Sequence, residues 1–243
     1  MIRDVVILAA GLGKRLSRDK RKPPKPLWPL GGRPLIGHVF NTFAAIGPFD
    51  FHVVVGYREN ELAAALPDLV PKGSNLHIVH NPEWDRSNGL SVLAAQDQID
   101  RPFFLSMSDH LYFPDLPTRL LGAATQPDHL YLGIDRRLDR IFDVEDATKV
   151  VMDGNNIVRL DKNLDNYNAV DTGVFICPPT LFCELEQVRL RFGDCSLTDG
   201  VRGLAKSGLA MGVDIGDCCW QDIDTPEMLE NARILLSEEE RAE

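Results

Sequence analysis

Two glycines and two cations in the run Gly11-Leu12-Gly13-Lys14-Arg15, with a further cation at Lys25, are suited to holding an anion. Glycine lets main-chain amides approach a ligand that a Cβ would push away. Amides flanked by cations can then surround phosphate oxygens. Two better-known glycine patterns fail here. A P-loop has Gly, four spacers and Gly-Lys-Ser/Thr, but Leu8 stands where its first glycine belongs and Arg15 where its hydroxyl belongs. The dinucleotide fingerprint needs a third glycine at position 16, which is Leu16. Carboxylates supply the complementary chemistry. Asp109 follows the apolar run Phe103-Phe104-Leu105-Ser106-Met107, and Asp222 and Asp224 stand in Trp220-Gln221-Asp222-Ile223-Asp224-Thr225-Pro226-Glu227. Each segment has a plain alternative as a helix cap. Alternation along an extended segment puts Asp222 and Asp224 on one side. Asn81-Pro82 and Asn88-Gly89-Leu90-Ser91 add amides that both donate and accept, as a nucleobase edge requires. Here too Ser87 or Asn88 is equally placed to cap a helix.

The elements that must position these groups alternate between strand and helix. Residues 4–10 read as a strand, 34–46 as a helix with Leu35, Val39, Phe43 and Ile46 on one face, and 51–55 as a second strand. A short helix over 59–66, a strand over 76–80, a helix over 88–99 and a strand over 103–107 follow. This order predicts an α/β fold: a Rossmann-like, doubly wound, mostly parallel sheet with ligands at the carboxyl ends of its strands. Gly11 and Asp109 both fall just past such strands. The second half changes rhythm. Strands over 130–134, 149–152, 157–160 and 170–177, with a turn at Asp153-Gly154-Asn155-Asn156, predict a small antiparallel lobe over the active site. Helices over 181–188 and 198–206, a strand over 209–215 and a last helix opened by Thr225-Pro226-Glu227 complete the chain. Residues 237–243 are expected to fray. We expect a single domain over residues 1–243, with residues 130–176 forming a substrate-binding lobe within it.

Bulk properties narrow the function. A chain of 243 residues is long enough for one α/β domain with a substantial core and marginal for two, and 44% hydrophobic with 26% charged content reads as soluble and globular. A net charge of −10 argues against nucleic acid as a partner. Against that background Lys14, Arg15, Arg18, Lys20, Arg21, Lys22 and Lys25 form a local positive funnel suited to a small polyanion. The plain alternative is a solvated basic loop or an import-like patch. Five cysteines without Cys-x-x-Cys spacing give neither a disulfide framework nor a zinc site, which fits reduced thiols in the cytoplasm. No apolar stretch reaches a membrane span or a signal-peptide core, so no membrane insertion is expected.

The run Leu8-Ala9-Ala10-Gly11-Leu12-Gly13-Lys14-Arg15-Leu16, followed by Pro24-Lys25-Pro26-Leu27, resembles the opening signature of nucleotidyltransferases that activate sugar and polyol phosphates. Three further phrases resemble the CTP:inositol-1-phosphate cytidylyltransferases in particular. They are Met107-Ser108-Asp109-His110, Asp146-Ala147-Thr148-Lys149-Val150 and Tyr167-Asn168-Ala169-Val170-Asp171-Thr172-Gly173-Val174-Phe175. The two Asn segments and the late Trp-Gln-Asp-Ile-Asp-Thr-Pro-Glu run agree, so the likeness spans nearly the whole chain.

The resemblance implies roles for individual residues. Leu8, Ala9, Ala10, Gly11 and Gly13 would wrap the triphosphate of CTP or another nucleoside triphosphate, with Arg15 and Lys25 on its phosphates. Asn81, Asn88, Gly89 and Ser91 would read the base. Asp109 and Asp224 would bind Mg²⁺, with Asp222 beside them. Thr148 and Lys149 would hold the phosphate of a polyol or sugar phosphate, and Asp171 and Thr172 its ring hydroxyls. The plain alternatives are a surface Lys on an edge strand and a turn-forming Asp-Thr-Gly. His110 is given no role beyond a structural one. Related enzymes are often fused to a membrane-embedded transferase, which here would be a separate partner. Other acceptors stay open, among them phosphocholine, another alditol phosphate or a sugar 1-phosphate, as does UTP in place of CTP. So does a non-catalytic module that only binds nucleotide.

Overall fold

The strand β1 (Asp4–Leu8) is buried along its whole length. It therefore needs a neighbour on each side and a layer over each face. The computed structural model, which describes residues 2–16, 19 and 21–242, supplies all four. After β1 come a small hairpin of β2 (Pro29–Leu30) and β3 (Arg33–Pro34), then α1 (Leu35–Ala44), β4 (Asp50–Val55) and α2 (Glu59–Ala65). Next are β5 (Asn75–His80), α3 (Asn88–Leu93), β6 (Phe103–Met107), β7 (His110–Tyr112) and α4 (Asp115–Ala123). The second half holds β8 (Leu130–Asp135), β9 (Lys149–Asp153), β10 (Asn156–Asp161), β11 (Ala169–Cys177), α5 (Thr180–Phe192) and α6 (Leu197–Lys206). It closes with β12 (Ala210–Asp214), β13 (Trp220–Asp222) and α7 (Pro226–Ala242).

Nine strands form one sheet in the order β5-β4-β1-β6-β11-β8-β12-β10-β9. The first four run parallel, and β1 pairs with β4 on one side and β6 on the other. The strand order reverses there, so a crevice opens past the carboxyl ends of β1 and β6, where open α/β sheets take their ligands. Alternation splits β1 between two cores. Val6 and Leu8 face α3, α5 and α6, whereas Val5 and Ile7 face α1, α2 and α4. A third cluster joins Leu16, Leu30, Leu35, Leu111, Phe113, Ile223, Leu229 and Ala232.

The antiparallel lobe is present and is continuous with the main sheet. Strand β11 runs antiparallel to both β6 and β8. The β9–β10 hairpin turns at Gly154 in the left-handed region (φ +57°). It reaches β12 through Asn156 and Met211 and returns to β11 through Val150 and Lys149. The five strands thus close on themselves around Ile134, Val150, Met152, Ile157 and Leu160.

Three expectations are revised. Helix α3 stops at Leu93 and the chain tightens into a single 3₁₀ turn at Gln96–Gln98 instead of continuing to residue 99. Helix α4 has no counterpart in the pattern reading, and it carries Pro114 and Pro117. Both lie at its start, where proline's missing N–H has no intrahelical partner to lose. Helix α7 continues to Ala242 rather than fraying from residue 237, with Leu235 and Leu236 packed on the third cluster. Arg18 and Lys20 of the basic run lie outside the described residues. No helix among the described residues is long and apolar enough to cross a membrane.

Candidate active site

Leu8 and Met107 are register partners at the ends of β1 and β6, so the glycine loop and Asp109 leave the sheet side by side. The late acids arrive by a second route. Strand β13 pairs antiparallel with β7, placing Asp222 opposite His110, and the Ile223 amide donates to the Asp109 carbonyl at 3.0 Å. Thr225 then starts α7 as expected, its hydroxyl accepting from the Met228 amide at 3.2 Å. Asp224 is thereby held next to Asp109.

The cation between them is Lys25. Its ammonium donates to Asp109 and, at 2.6 Å, to Asp224, while its side chain is 7% exposed. Gly13, in the left-handed region at φ +61°, makes this possible, since a Cβ there would lie 2.7 Å from the Lys25 Cβ. Arg15 donates to the other oxygen of Asp224 and to Asp146, which also accepts from Lys162 at 3.1 Å. His110 Nδ1 lies 2.9 Å from the remaining Asp109 oxygen, and its ring stacks on Trp220 with centroids 6.2 Å apart.

Burial and charge oppose one another here, and charge prevails for most groups. Burial would lower the Lys25 pKa, but Asp109 and Asp224 outweigh it and raise it. Burial would raise Asp109, yet the Lys25 ammonium and His110 hold it well below the usual carboxylate range. His110 is likewise raised, its burial outweighed by Asp109 and Asp222. Asp222 is the exception. Burial pushes its carboxyl up, and the neighbouring Asp224 and Asp109 push it further.

Most of the nucleotide-side residues singled out in the sequence line one cavity of about 270 Å³: Leu8, Ala9, Ala10, Gly11, Gly13, Lys25, Asn88, Ser91, Asp109 and Asp224. Trp84 and Arg86 line it too, and no sequence signal marked them. An adjoining chamber of about 440 Å³ shares Gly13 and Lys25 and adds Lys14, Tyr57 and Arg58. Arg58 adopts a left-handed backbone (φ +51°) and donates to the Lys22 carbonyl at 2.6 Å, tying down the basic loop. Asn81 and Gly89 stand outside that cavity wall. Asn81 is buried, donating to the Ser91 hydroxyl at 2.9 Å and accepting from the Glu83 amide at 2.9 Å. A Cβ on Gly89 would lie 2.5 Å from the Cys195 carbonyl, so this glycine lets α3 approach the segment before α6. Asn88 accepts from the Leu197 amide at 2.9 Å, and the Ser87 hydroxyl donates to Asp194 at 3.0 Å rather than capping α3.

The acceptor-side residues are tied to the main chain. Lys149 is buried and not an exposed edge lysine. Its ammonium donates to the carbonyls of Glu145 at 2.7 Å and Lys162 at 2.9 Å, leaving one N–H, and it lies over the Tyr167 ring. Thr172 is fully buried, donating to the Gly133 carbonyl at 2.8 Å. The Thr148 carbonyl accepts from the Asp171 amide at 2.9 Å. The Asp171 carboxylate accepts from the Gly173 amide at 2.7 Å, and burial pushes its pKa up to about 6.

The oxygen donors suit a hard cation. Asp109 and Asp224 converge on one point of positive charge, and Asp146, Asp222 and Asp224 offer oxygens within 4.8 Å of one another. An all-carboxylate set of this kind fits Mg²⁺ carried in with phosphates. Asp146 was legible in the sequence only as part of a substrate phrase, since its partner Arg15 lies 131 positions away.

Comparison with known proteins bears on the fold and the family. A protein of Rubrobacter xylanophilus described as a bifunctional IPC transferase and DIPP synthase is 34% identical over 92% of this chain and 49% of its own length. One of the same description from Thermococcus kodakarensis is 32% identical over 95% of this chain and 50% of its own. The chain thus spans about half the length of these curated relatives. The solved inositol-1-phosphate CTP transferase from T. maritima superposes with a TM-score of 0.79 at 28% identity, covering 96% of both chains. Residues 5–142, from β1 through the acid-bearing end of β6 into the loop after β8, match the MobA-like NTP transferase domain, and the chain belongs to that family.

Proposed function

We propose that this chain transfers CMP from CTP to inositol 1-phosphate, giving CDP-inositol and releasing pyrophosphate. The observation that carries the reading is the meeting of Asp109, Asp224, Lys25 and Arg15 at the mouth of the glycine-loop cavity. The choice of base and acceptor draws support from the 28% identical inositol-1-phosphate CTP transferase, which matches over nearly its full length.

A phosphate monoester has its second pKa near ~6 and is mostly dianionic at neutral pH, so it is already a nucleophile. No general base is needed. The obstacle is electrostatic: a dianion must approach the α-phosphate of a polyanion. Lys25 and Arg15 offset that repulsion and stabilise the charge that grows on the leaving pyrophosphate. Asp109 and Asp224 would hold Mg²⁺, which when bound supplies further positive charge to the phosphate oxygens. His110 keeps the Asp109 carboxylate oriented through its Nδ1. The remaining N–H of Lys149 would hold the acceptor phosphate in line, and Asp171 would take a hydroxyl of the ring. Positioning of this kind can contribute up to about 7–11 kcal/mol to lowering the barrier. In this reading the chain acts as one domain, with residues 130–176 as its acceptor lobe. The free thiols of Cys177, Cys183, Cys195, Cys218 and Cys219 favour the cytoplasm as its setting.

Pyrophosphate release from the four nucleoside triphosphates, each paired with a panel of phosphorylated alcohols, tests the proposal. CTP with inositol 1-phosphate should give the highest kcat/KM. A faster reaction with phosphocholine or a sugar 1-phosphate would replace the acceptor. Nucleotide binding without turnover for any pair would make the chain a binding module.

A further inference from the structure

All four carboxylate oxygens of Asp109 and Asp224 face a nitrogen of a basic side chain. Lys25 takes one oxygen of each acid, Arg15 takes the second of Asp224, and His110 Nδ1 lies 2.9 Å from the second of Asp109. Lys25 has little freedom to leave on its own, being buried at 7% exposure and packed through its Cβ against Gly13. A divalent ion arriving alone would meet a cation or imidazole beside each of these oxygens and be repelled by the positive charge already there. A triphosphate arriving with it offers Lys25 and Arg15 new oxygens.

We propose that Lys25 is an internal counter-cation that closes the acid pair to a bare divalent ion and surrenders it only when a triphosphate receives the ammonium. The inference rests on the reading above, in which these acids hold the metal. Metal and nucleotide then bind as a coupled pair. The lysine that neutralises the carboxylates in the empty site becomes the one that neutralises phosphate in the filled site. Net charge in the site changes little at each stage, so neither ligand meets a large unbalanced field.

The test measures binding of Mn²⁺, followed by the electron paramagnetic resonance of the free ion, without and with CTP. The wild type should bind bare Mn²⁺ weakly and bind it much more tightly once CTP is present. Lys25→Met should bind bare Mn²⁺ at least about tenfold more tightly than wild type, since one unit charge at contact distance has been removed. Lys25→Arg, which keeps the charge, should bind bare Mn²⁺ as weakly as wild type, a rescue that a merely structural lysine would not show. A natively folded Lys25→Met with no gain in bare Mn²⁺ affinity overturns the proposal. If Lys25→Met does not fold, the wild type carries the test through the ¹⁵N signal of the Lys25 ammonium, identified by its loss in Lys25→Arg. That signal should stay put with Mg²⁺ alone and move with Mg²⁺ plus CTP; movement with Mg²⁺ alone overturns the proposal. Asp109→Asn separates the two levels. If it weakens Mn²⁺ binding in the presence of CTP while Lys25→Met leaves bare-ion affinity unchanged, the counter-cation role alone fails. If it has no effect, the metal site and the proposal fall together.

Discussion

Around the glycine loop, Arg15 and Lys25 reach across 84 to 209 positions of sequence to carboxylates. Around β11, Lys149 and Thr172 donate instead to main-chain carbonyls. Both regions bury polar groups and both satisfy them. An ion pair between side chains can be exchanged for a phosphate without moving the backbone, whereas a hydrogen bond to the main chain is part of the fold itself. Under the proposed function, the glycine-loop side would change partners on binding nucleotide and the side around β11 would keep its shape. Damage should accordingly separate: chemistry on the first side, stability with acceptor affinity on the second.

The largest effect is expected from Asp109→Asn. Turnover in a pyrophosphate-release assay should fall by at least about 100-fold, with a circular dichroism spectrum like that of wild type. Near-wild-type rates would remove Asp109 from the machinery. Arg15→Gln comes next. Arg15 is half exposed, so melting temperature should barely change while KM for CTP rises about tenfold. A large loss of stability would erase the contrast between the two regions.

Lys149→Met should do both things at once. Two carbonyls lose their donor, at a cost of about 1–3 kcal/mol, and KM for the acceptor should rise more than KM for CTP. Equal rises in both constants would move Lys149 out of the acceptor lobe. Thr172→Val sharpens the point, because among the described residues its hydroxyl donates to the Gly133 carbonyl alone. Chemical denaturation should show a loss of about 1 kcal/mol, with both KM values unchanged.

The smallest effect is expected from Asp171. Burial raises its folded pKa to about 6, against an ordinary value of 3.8, and the Gly173 amide offsets only part of this. The folded state therefore holds its proton more tightly than the unfolded chain. The stability this contributes is full below the ordinary value and is lost as pH rises through about 6. Asp171→Asn cannot titrate, so melting curves for wild type and variant should diverge in the variant's favour between about pH 4 and pH 7. Parallel curves over that range would place Asp171 in contact with water.

What was legible in the chain was whatever lay within a few positions. The turn after β1, the acid after β6 and the cap at Thr225 each need only local spacing, and each stands where the pattern reading put it. The buried Lys25 was not legible as an acid partner, because Asp109 and Asp224 lie 84 and 199 positions away. Asn81 and Gly89 show the converse limit. An amide suited to a base and a glycine suited to a close approach proved to be engaged with Ser91 and the Cys195 carbonyl. Residue type states what a group can bind, and only the topology decides what it meets first. The pairing of β7 with β13 left no mark in the sequence, since three-residue ladders carry too few alternations to recognise.

The third apolar cluster has a consequence for how the protein behaves when heated or saturated. Leu16 at the end of the glycine loop, Leu30 of β2, Ile223 beside the late acid and Leu229 of α7 share one small patch. Unzipping the last helix would strip that patch from beneath the loop and the acid simultaneously. Amide exchange in α7 should therefore slow when nucleotide is bound, although the helix lines neither chamber of the cleft. The far end of the chain acts as a clasp on its beginning, and occupancy of the cleft should tighten that clasp.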